Sequence, residues 1–104
     1  MDLNGYLLKE VAKKGGEFPI VPAIECADGF HISVQAHYGA YSTPRTNFGP
    51  WSNVECGFPS APVPELTEWQ DGSGDQTQSV YGYVPIDVVE KLIESHGGQK
   101  AGVV

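Results

Sequence analysis

His31 and His37 are the side chains of this sequence best suited to proton transfer or to binding a metal ion. They lie on the polar phase of an alternating run from Phe30 to His37, together with Ser33 and Gln35. Because a strand rises about 3.3 Å per residue, the two rings are roughly 20 Å apart and cannot share one metal ion. Either histidine could serve an enzyme only with a partner from elsewhere in the chain. We therefore predict no catalytic residue and no metal site. Both histidines are expected to occupy polar positions on the surface.

The loop from Tyr38 to Trp51 is the stronger candidate for a functional site. It combines aromatic rings with glycines, prolines and the chain's only arginine, and ordered loops of this length tend to be functional. An arginine can grip a phosphate or a carboxylate, and aromatic rings can stack on a flat group. The predicted binding residues are Tyr38, Tyr41, Arg45, Phe48 and Trp51. The alternative is a structural loop whose aromatic rings pack onto the domain while Arg45 pairs with an acidic side chain.

The formal net charge of −7 is unevenly distributed along the chain. No lysine or arginine occurs between Thr46 and Glu90, a segment that is rich in carboxylates. Binding of nucleic acid by phosphate neutralisation needs clustered cations, so we expect no direct nucleic-acid binding. The simplest role of these acids is solubility, and the alternative is a surface that fits a basic groove on a partner. The members of that secondary acidic surface would be Glu65, Glu68, Asp71 and Asp75.

The two cysteines, Cys26 and Cys56, lack the spacing of a zinc ribbon or a thioredoxin-type motif. Both fall on the apolar phase of predicted strands, which indicates shielded and reduced thiols. We therefore expect no cofactor. The first residues lack the basic and apolar regions of a signal sequence, and no apolar stretch has the length of a membrane span. The expected location is the cytoplasm.

Hydrophobic periodicity predicts the helices that frame these segments. An amphipathic helix is expected from about Asp2 to Lys14. A second helix should begin at Pro85 and end at Gly97-Gly98, with His96 as a partner for the negative end of its dipole. The predicted fold is α+β, in one domain over residues 1–104 whose tail frays from about residue 99.

Three or four strands of a small, mostly antiparallel sheet are expected between the two helices. The segments with strand patterns are 18–26, 30–37, 53–58 and 80–84. The prolines of the first segment cannot donate to a sheet ladder, which favours an edge strand or an extended entry segment there. The predicted core residues are Phe30, Ile32, Val34, Val54, Phe58, Val89, Leu92 and Ile93.

Several short runs of the sequence are distinctive in combination. They are Asp28–Ala36, Thr43–Arg45, Gly49-Pro50, Gly57–Ser60, Val80–Pro85, Val88–Glu90 and His96–Gly98. On these runs the chain resembles a group of small uncharacterised proteins of bacteriophages and prophages, and the similarity extends over nearly its whole length. The resemblance implies a phage origin and a location in the cytoplasm of the host cell, and it brings no active site with it. Members of the group carry Cys-Ser-Pro-Arg where this chain has Ser42-Thr43-Pro44-Arg45, which weighs against thiol chemistry in the loop.

A small acidic phage protein without a catalytic motif is most simply a binding protein. We expect an accessory protein that inhibits or modulates a host protein, including a host defence enzyme, in the manner of anti-CRISPR proteins. One alternative is a small-ligand or nucleotide binder that uses Arg45 and the loop aromatics. The other is a hydrolase-type enzyme that uses His31 or His37. Association with a membrane is not expected.

Overall fold

A computed structural model describes residues 1–100 of the chain and confirms the α+β fold, in which one helix precedes a four-stranded antiparallel sheet and another follows it. The helices are α1 (Leu3–Lys14) and α2 (Ile86–Ser95). The strands are β1 (Ile24–Glu25), β2 (His31–Gln35), β3 (Asn53–Gly57) and β4 (Val80–Pro85). Two 3₁₀ helices, Pro64–Trp69 and Gln76–Gln78, lie between β3 and β4. Neither α-helix in this part of the chain has the length and apolar character needed to cross a membrane.

The four strands are ordered as in the sequence, so each strand pairs with the next one along the chain. Val34 of β2 lies opposite Cys56 of β3, and Val54 of β3 lies opposite Val84 of β4. All four side chains are buried, so the apolar residues of successive strands share one face of the sheet. The alternation in the sequence therefore determines which face packs inward, because a slip of one residue would turn every side chain over.

Both α-helices contribute to the core on that face. Leu3 and Leu7 of α1 and Leu92 and Ile93 of α2 are no more than 2% exposed. The backbone N–H of Leu3 also donates to the Glu90 carboxylate at 2.9 Å. Because the first N–H groups of a helix have no partner within the helix, this hydrogen bond satisfies the start of α1 and ties it to α2.

Phe58 was expected in the core, and that prediction is wrong, since 54% of its side chain is exposed. The alternation of β3 ends at Gly57. Phe58 then adopts a left-handed backbone with φ of 50°, while its N–H donates to the Ser79 carbonyl at 3.0 Å. This change of backbone conformation turns the ring out of the inward phase. The other predicted core residues are all buried.

Gln35 and His37, predicted on the solvent face of β2, are buried instead. The Gln35 side chain exchanges two hydrogen bonds with the backbone of Val21, donating at 2.8 Å and accepting at 2.9 Å. The extended segment before β1 therefore lies against the end of β2. A polar side chain can be buried here because a segment distant in sequence supplies partners for its hydrogen-bonding groups. Strand alternation carries no information about such a partner.

The end of the described chain is paired, whereas the sequence predicted fraying from about residue 99. Gln99 forms a bridge with Cys26, and the N–H of Lys100 donates to the Glu25 carbonyl at 2.8 Å. These contacts extend the sheet beyond β1 as far as Gln99 and Lys100. The remainder of the predicted tail, residues 101–104, lies outside the described residues.

His96 makes a more specific contact than the helix-dipole role predicted for it. Its imidazole stacks on the Phe30 ring, with 4.0 Å between centroids and 7° between planes. Its Nδ1 lies 2.7 Å from the Asp28 carboxylate. The end of α2 is capped as expected, since the N–H of Gly98 donates to the Ile93 carbonyl at 3.0 Å. His96 thus fastens α2 to the turn between β1 and β2.

Candidate functional site

Trp51 anchors the loop of residues 38–51 to the body of the domain. Its side chain is only 1% exposed, and its indole N–H donates to the Thr46 carbonyl at 3.0 Å. Asn4 of α1 binds the backbone of Trp51 twice, donating to its carbonyl at 2.9 Å and accepting from its N–H at 2.7 Å. Trp51 was predicted to be a binding residue, and the structure instead places its ring in the core. The large apolar ring is stabilised by burial beside α1 and is inaccessible to a ligand.

Side-chain hydrogen bonds fix the outer part of the same loop. The Asn47 side chain accepts from the N–H of Tyr38 at 2.7 Å and donates to the Glu17 carbonyl at 3.0 Å. Thr43 forms a bridge with Asn53 at the start of β3. Because both ends and the middle of the loop are bonded to other segments, the side chains that it exposes are held in place.

Phe48, Tyr38 and Tyr41 are the predicted binding aromatics that the loop exposes, at 81%, 59% and 46% of their side chains. Phe48 borders two depressions of about 400 and 330 Å³, one against α1 and one that it shares with Tyr38. The ring of Phe18 lies 5.9 Å from that of Tyr38 and is also exposed. We refer to Phe18, Tyr38 and Phe48 as the aromatic ridge. A contiguous exposed apolar surface of this kind is typical of an interaction site.

Arg45 and Tyr41 form a pair on another part of the loop. The Arg45 Cζ atom lies 5.4 Å from the centroid of the Tyr41 ring, within cation–π distance. Within residues 1–100 the guanidinium makes no ion pair, so the alternative in which an acid neutralises Arg45 is wrong. The backbone of Tyr41 is held in turn by Glu55, whose carboxylate accepts from its N–H at 2.7 Å.

Tyr83 projects beside Tyr41 because β4 contains a bulge. The register with β3 shifts between Tyr81 and Val84, where β4 has one more residue than its neighbour. Tyr83 takes a φ of 56°, and its N–H donates to the Tyr41 carbonyl at 3.0 Å. A left-handed conformation costs a non-glycine residue about 1–2 kcal/mol. Bulges and backbone strain of this kind occur preferentially beside functional sites.

Tyr41 and Tyr83 line a cleft of about 530 Å³ whose opposite side is the end of the 3₁₀ helix Pro64–Trp69. Trp69, Glu68 and Asp71 line that side, and we call this depression the tyrosine cleft. The structure therefore brings together Tyr41, predicted from the aromatic loop, with Glu68 and Asp71, predicted from the acidic surface.

The other two members of the predicted acidic surface do not line this cleft. Glu65 is exposed elsewhere on the same 3₁₀ helix. Asp75 accepts from the hydroxyl and the backbone N–H of Thr77, at 2.7 and 2.9 Å, and these hydrogen bonds hold the pKa of its carboxyl below the usual range. Asp75 thus caps the short 3₁₀ helix Gln76–Gln78. The predicted surface is therefore not one patch: Glu68 and Asp71 line the cleft, Asp75 has a local structural role, and Glu65 lies outside both.

The histidines lie in separate environments. His37 is buried, its Nδ1 accepts from the N–H of Gly39 at 3.0 Å, and burial lowers the pKa of the imidazole. His31 is exposed in a shallow depression with Ser60 and Thr77, where no carboxylate forms part of the lining. In the described part of the chain no three His, Cys, Asp or Glu side chains are placed to hold one metal ion. Within residues 1–100 neither His31 nor His37 has the hydrogen-bonded carboxylate that would make a hydrolase-type acid–base pair.

Cys26 and Cys56 are buried and unbridged, as predicted. Burial raises the pKa of both thiols. Because the thiolate is the nucleophilic form, the two cysteines are suited to packing and not to covalent catalysis.

Three residues of these surfaces were absent from the predicted set: Phe18, Trp69 and Tyr83. The sequence carries a signal for Tyr83, because a glycine inside a strand pattern, here Gly82, often marks a bulge. The position of Trp69 depends on packing of its 3₁₀ helix against β4, and the position of Phe18 depends on its contact with Tyr38. No local pattern indicates either contact.

No protein-family model, curated protein or solved structure matches this chain. The function proposed for it therefore depends on the geometry and chemistry of its own surface.

Proposed function

We propose that this chain is a binding protein and that its aromatic ridge is the recognition surface for another protein. The observation that carries the proposal is that Phe48 and Tyr38 are exposed on a loop fixed by hydrogen bonds and by the buried Trp51. Apolar rings held in water forgo the free energy that burial would supply, so their fixed exposure favours a surface that is covered on association. Aromatic residues also concentrate binding energy at protein interfaces.

The shape of the ridge supports a protein partner. Phe48 protrudes between depressions of about 400 and 330 Å³, and the half-exposed Leu8 extends the apolar surface onto α1. A protruding ring with depressions on either side can interlock with a complementary surface. Because the loop is already ordered, association would not have to order it, which lowers the entropic cost of binding.

The partner that we propose is a host protein, with the chain acting as a phage-encoded inhibitor or modulator in the host cytoplasm. The resemblance to small phage proteins supports this assignment. Inhibitors of host defence enzymes, such as anti-CRISPR proteins, are one class of protein that would fit it. The net charge of −7 favours a partner with a basic surface and disfavours nucleic acid.

A small-ligand or nucleotide site around Arg45 is the second candidate function. It is favoured by the exposed guanidinium, which stacks on Tyr41 and has no ion-pair partner within residues 1–100. Glu68 and Asp71 line the cleft beside Tyr41, and their charges would repel a phosphate. Protein binding is therefore the better supported function.

The proposal can be tested by affinity capture from a bacterial lysate with three immobilised baits. They are the parent chain, a Tyr38→Ser/Phe48→Ser double variant of the ridge, and a Phe58→Ser variant. Phe58 is a matched control because it is also an exposed aromatic ring, at 54%, but lies outside the loop. We expect a protein that the parent and the control retain equally and that the ridge variant retains at least about tenfold less, as for an interface hot spot.

Thermal unfolding of the three baits should be indistinguishable, because both substitutions remove exposed side chains. Equal capture by the ridge variant and the parent would contradict the proposal, and so would the absence of any protein retained specifically by the parent.

A further inference from the structure

We infer that the tyrosine cleft binds an arginine side chain of the partner protein. The inference deepens the proposed function and rests on it, since the arginine is supplied by the protein that docks on the aromatic ridge. The cleft is formed by residues of three segments: Tyr41 of the loop, Tyr83 of the β4 bulge, and Glu68, Trp69 and Asp71 at the end of a 3₁₀ helix.

The aromatic lining suits a planar cation. Three aromatic residues, Tyr41, Tyr83 and Trp69, line the cleft, and the Tyr41 and Tyr83 rings are 5.9 Å apart. A guanidinium stacks on aromatic faces more readily than an ammonium, because it is flat and weakly hydrated. The chain's own Arg45 already lies 5.4 Å from the Tyr41 centroid, which shows that this ring accepts a guanidinium.

The charges around the cleft are mainly negative, which is complementary to a guanidinium. Glu68 and Asp71 are exposed in its lining, and Glu55 lies behind Tyr41 with its carboxylate on the Tyr41 N–H. Within residues 1–100 neither lining carboxylate forms an ion pair, and Arg45 contributes one positive charge beside Tyr41. The local charge is therefore negative. A carboxylate can accept two parallel hydrogen bonds from an incoming guanidinium, which fixes its orientation as well as attracting it.

The cleft is large enough to receive one side chain. Its volume of about 530 Å³ lies within the range of about 300–1,000 Å³ that small-molecule sites occupy. The bulge in β4 gives the wall its shape, because it turns Tyr83 outward at a backbone conformation with φ of 56°. A strained residue kept beside a cleft with complementary charges is the pattern expected of a binding feature.

The inference can be tested by titrating the isotope-labelled chain with a glycine-flanked arginine pentapeptide and following the Trp69 indole and Gly82 amide signals. The matched probe is the same peptide with citrulline, which keeps the shape of arginine and removes its charge. We expect saturable shifts with the arginine peptide, binding at least about fivefold weaker with citrulline, and weakening at about 0.3 M salt.

Three variants separate a local contact from general electrostatics. Glu68→Gln with Asp71→Asn should weaken binding of the arginine peptide at least about tenfold. Glu65→Gln removes a charge from the same 3₁₀ helix but outside the cleft lining. It should change the affinity for the arginine peptide by less than about twofold. Arg45→Ala should leave the affinity unchanged or raise it, since it removes a like charge.

Equal binding of the citrulline peptide would overturn the inference. So would equal losses in Glu65→Gln and in the Glu68→Gln/Asp71→Asn double variant, or loss of binding in Arg45→Ala. The two proposals fail separately. If the ridge variant loses the partner while the arginine peptide leaves Trp69 and Gly82 unperturbed, the inference fails and the proposed function stands. If the peptide binds in the cleft and the ridge variant retains its partner fully, the assignment of the ridge fails.

Discussion

Two tyrosines of β4 that are separated by one glycine have opposite environments. Tyr81 is fully buried, and its hydroxyl donates to the Gln76 carbonyl at 2.7 Å. Tyr83 is 45% exposed and occupies a left-handed backbone conformation. In a regular strand residues i and i+2 would share a face, so the bulge at Gly82 is what separates a core side chain from a surface one.

The strain at Tyr83 can be measured by comparing Tyr83→Gly with Tyr83→Ala. Both variants lose the same ring, but only glycine adopts a positive φ without steric cost, so Tyr83→Gly should be the more stable by about 1 kcal/mol. Chemical denaturation of both proteins measures this difference. Ser33 lies in the regular strand β2, so the order should be reversed there. The Ser33→Ala protein should be more stable than the Ser33→Gly protein by about 0.5–1 kcal/mol. Greater stability of Tyr83→Ala would show that the conformation at Tyr83 is unstrained.

The loop between β2 and β3 uses its aromatic residues for two different purposes. Trp51 packs beneath the loop and is bound by Asn4 of α1, whereas Phe48 stands in solvent. The aromatic composition alone marks all of these rings as binding candidates. Packing assigns them, because an apolar ring can leave water only where other segments surround it.

Substitution by alanine should therefore lower the stability of the fold at Trp51 and should lower binding of the partner, with the fold intact, at Phe48. Trp51→Ala should lower the free energy of unfolding by about 3–5 kcal/mol, as expected for a large buried ring. Phe48→Ala should change it by less than about 0.5 kcal/mol, since the ring is exposed, and should reduce capture of the partner. Denaturant titration gives both values. A Trp51→Ala protein as stable as the parent would mean that the loop is not anchored through this ring.

Both ends of the described chain contact segments that are distant in sequence. Met1 and Leu3 contact Glu94 and Glu90 of α2, at 3.5 and 2.9 Å. At the other end, His96 binds the Asp28 carboxylate in the turn between β1 and β2. These contacts link segments that are far apart in sequence, so they form only when the whole domain folds.

Asp28 gives the fold a defined dependence on pH. The Phe30 N–H and then the His96 side chain hold the pKa of the Asp28 carboxyl below its ordinary value. Since the folded pKa is the lower one, the ionised form stabilises the fold. That contribution is complete above the unfolded pKa of about 3.9 and is lost as the pH falls through the folded value.

Asp28→Asn should therefore melt at a lower temperature than the parent near neutral pH, and the difference should disappear as the solution is acidified below about pH 4. Thermal melts over a series of pH values measure it. Glu17→Gln is a suitable control, because its exposed side chain makes no hydrogen bond within residues 1–100. A melting difference for Asp28→Asn that persists unchanged in acid would show that the charge of Asp28 plays no part.

The sequence alone determined the α+β class, the two helices, the phase of β2 and β3 and the burial of both cysteines. These features depend on interactions between residues close in sequence, such as the period of apolar side chains and the residues that start or stop a helix. The same reasoning identified the loop that carries Tyr38, Tyr41 and Phe48, because its composition is local information as well.

Tertiary structure decided which of the candidate residues face solvent and which of them meet. Gln35 and Trp51 are buried because Val21 and Asn4, distant in sequence, satisfy their polar groups. Tyr41 and Glu68 line one cleft because a 3₁₀ helix packs against β4. Contacts of this kind exist only once the chain has closed on itself, and their partners are chosen by packing of the entire domain. A periodic pattern specifies which side of an element is apolar, and it cannot specify what that side or the opposite one will touch.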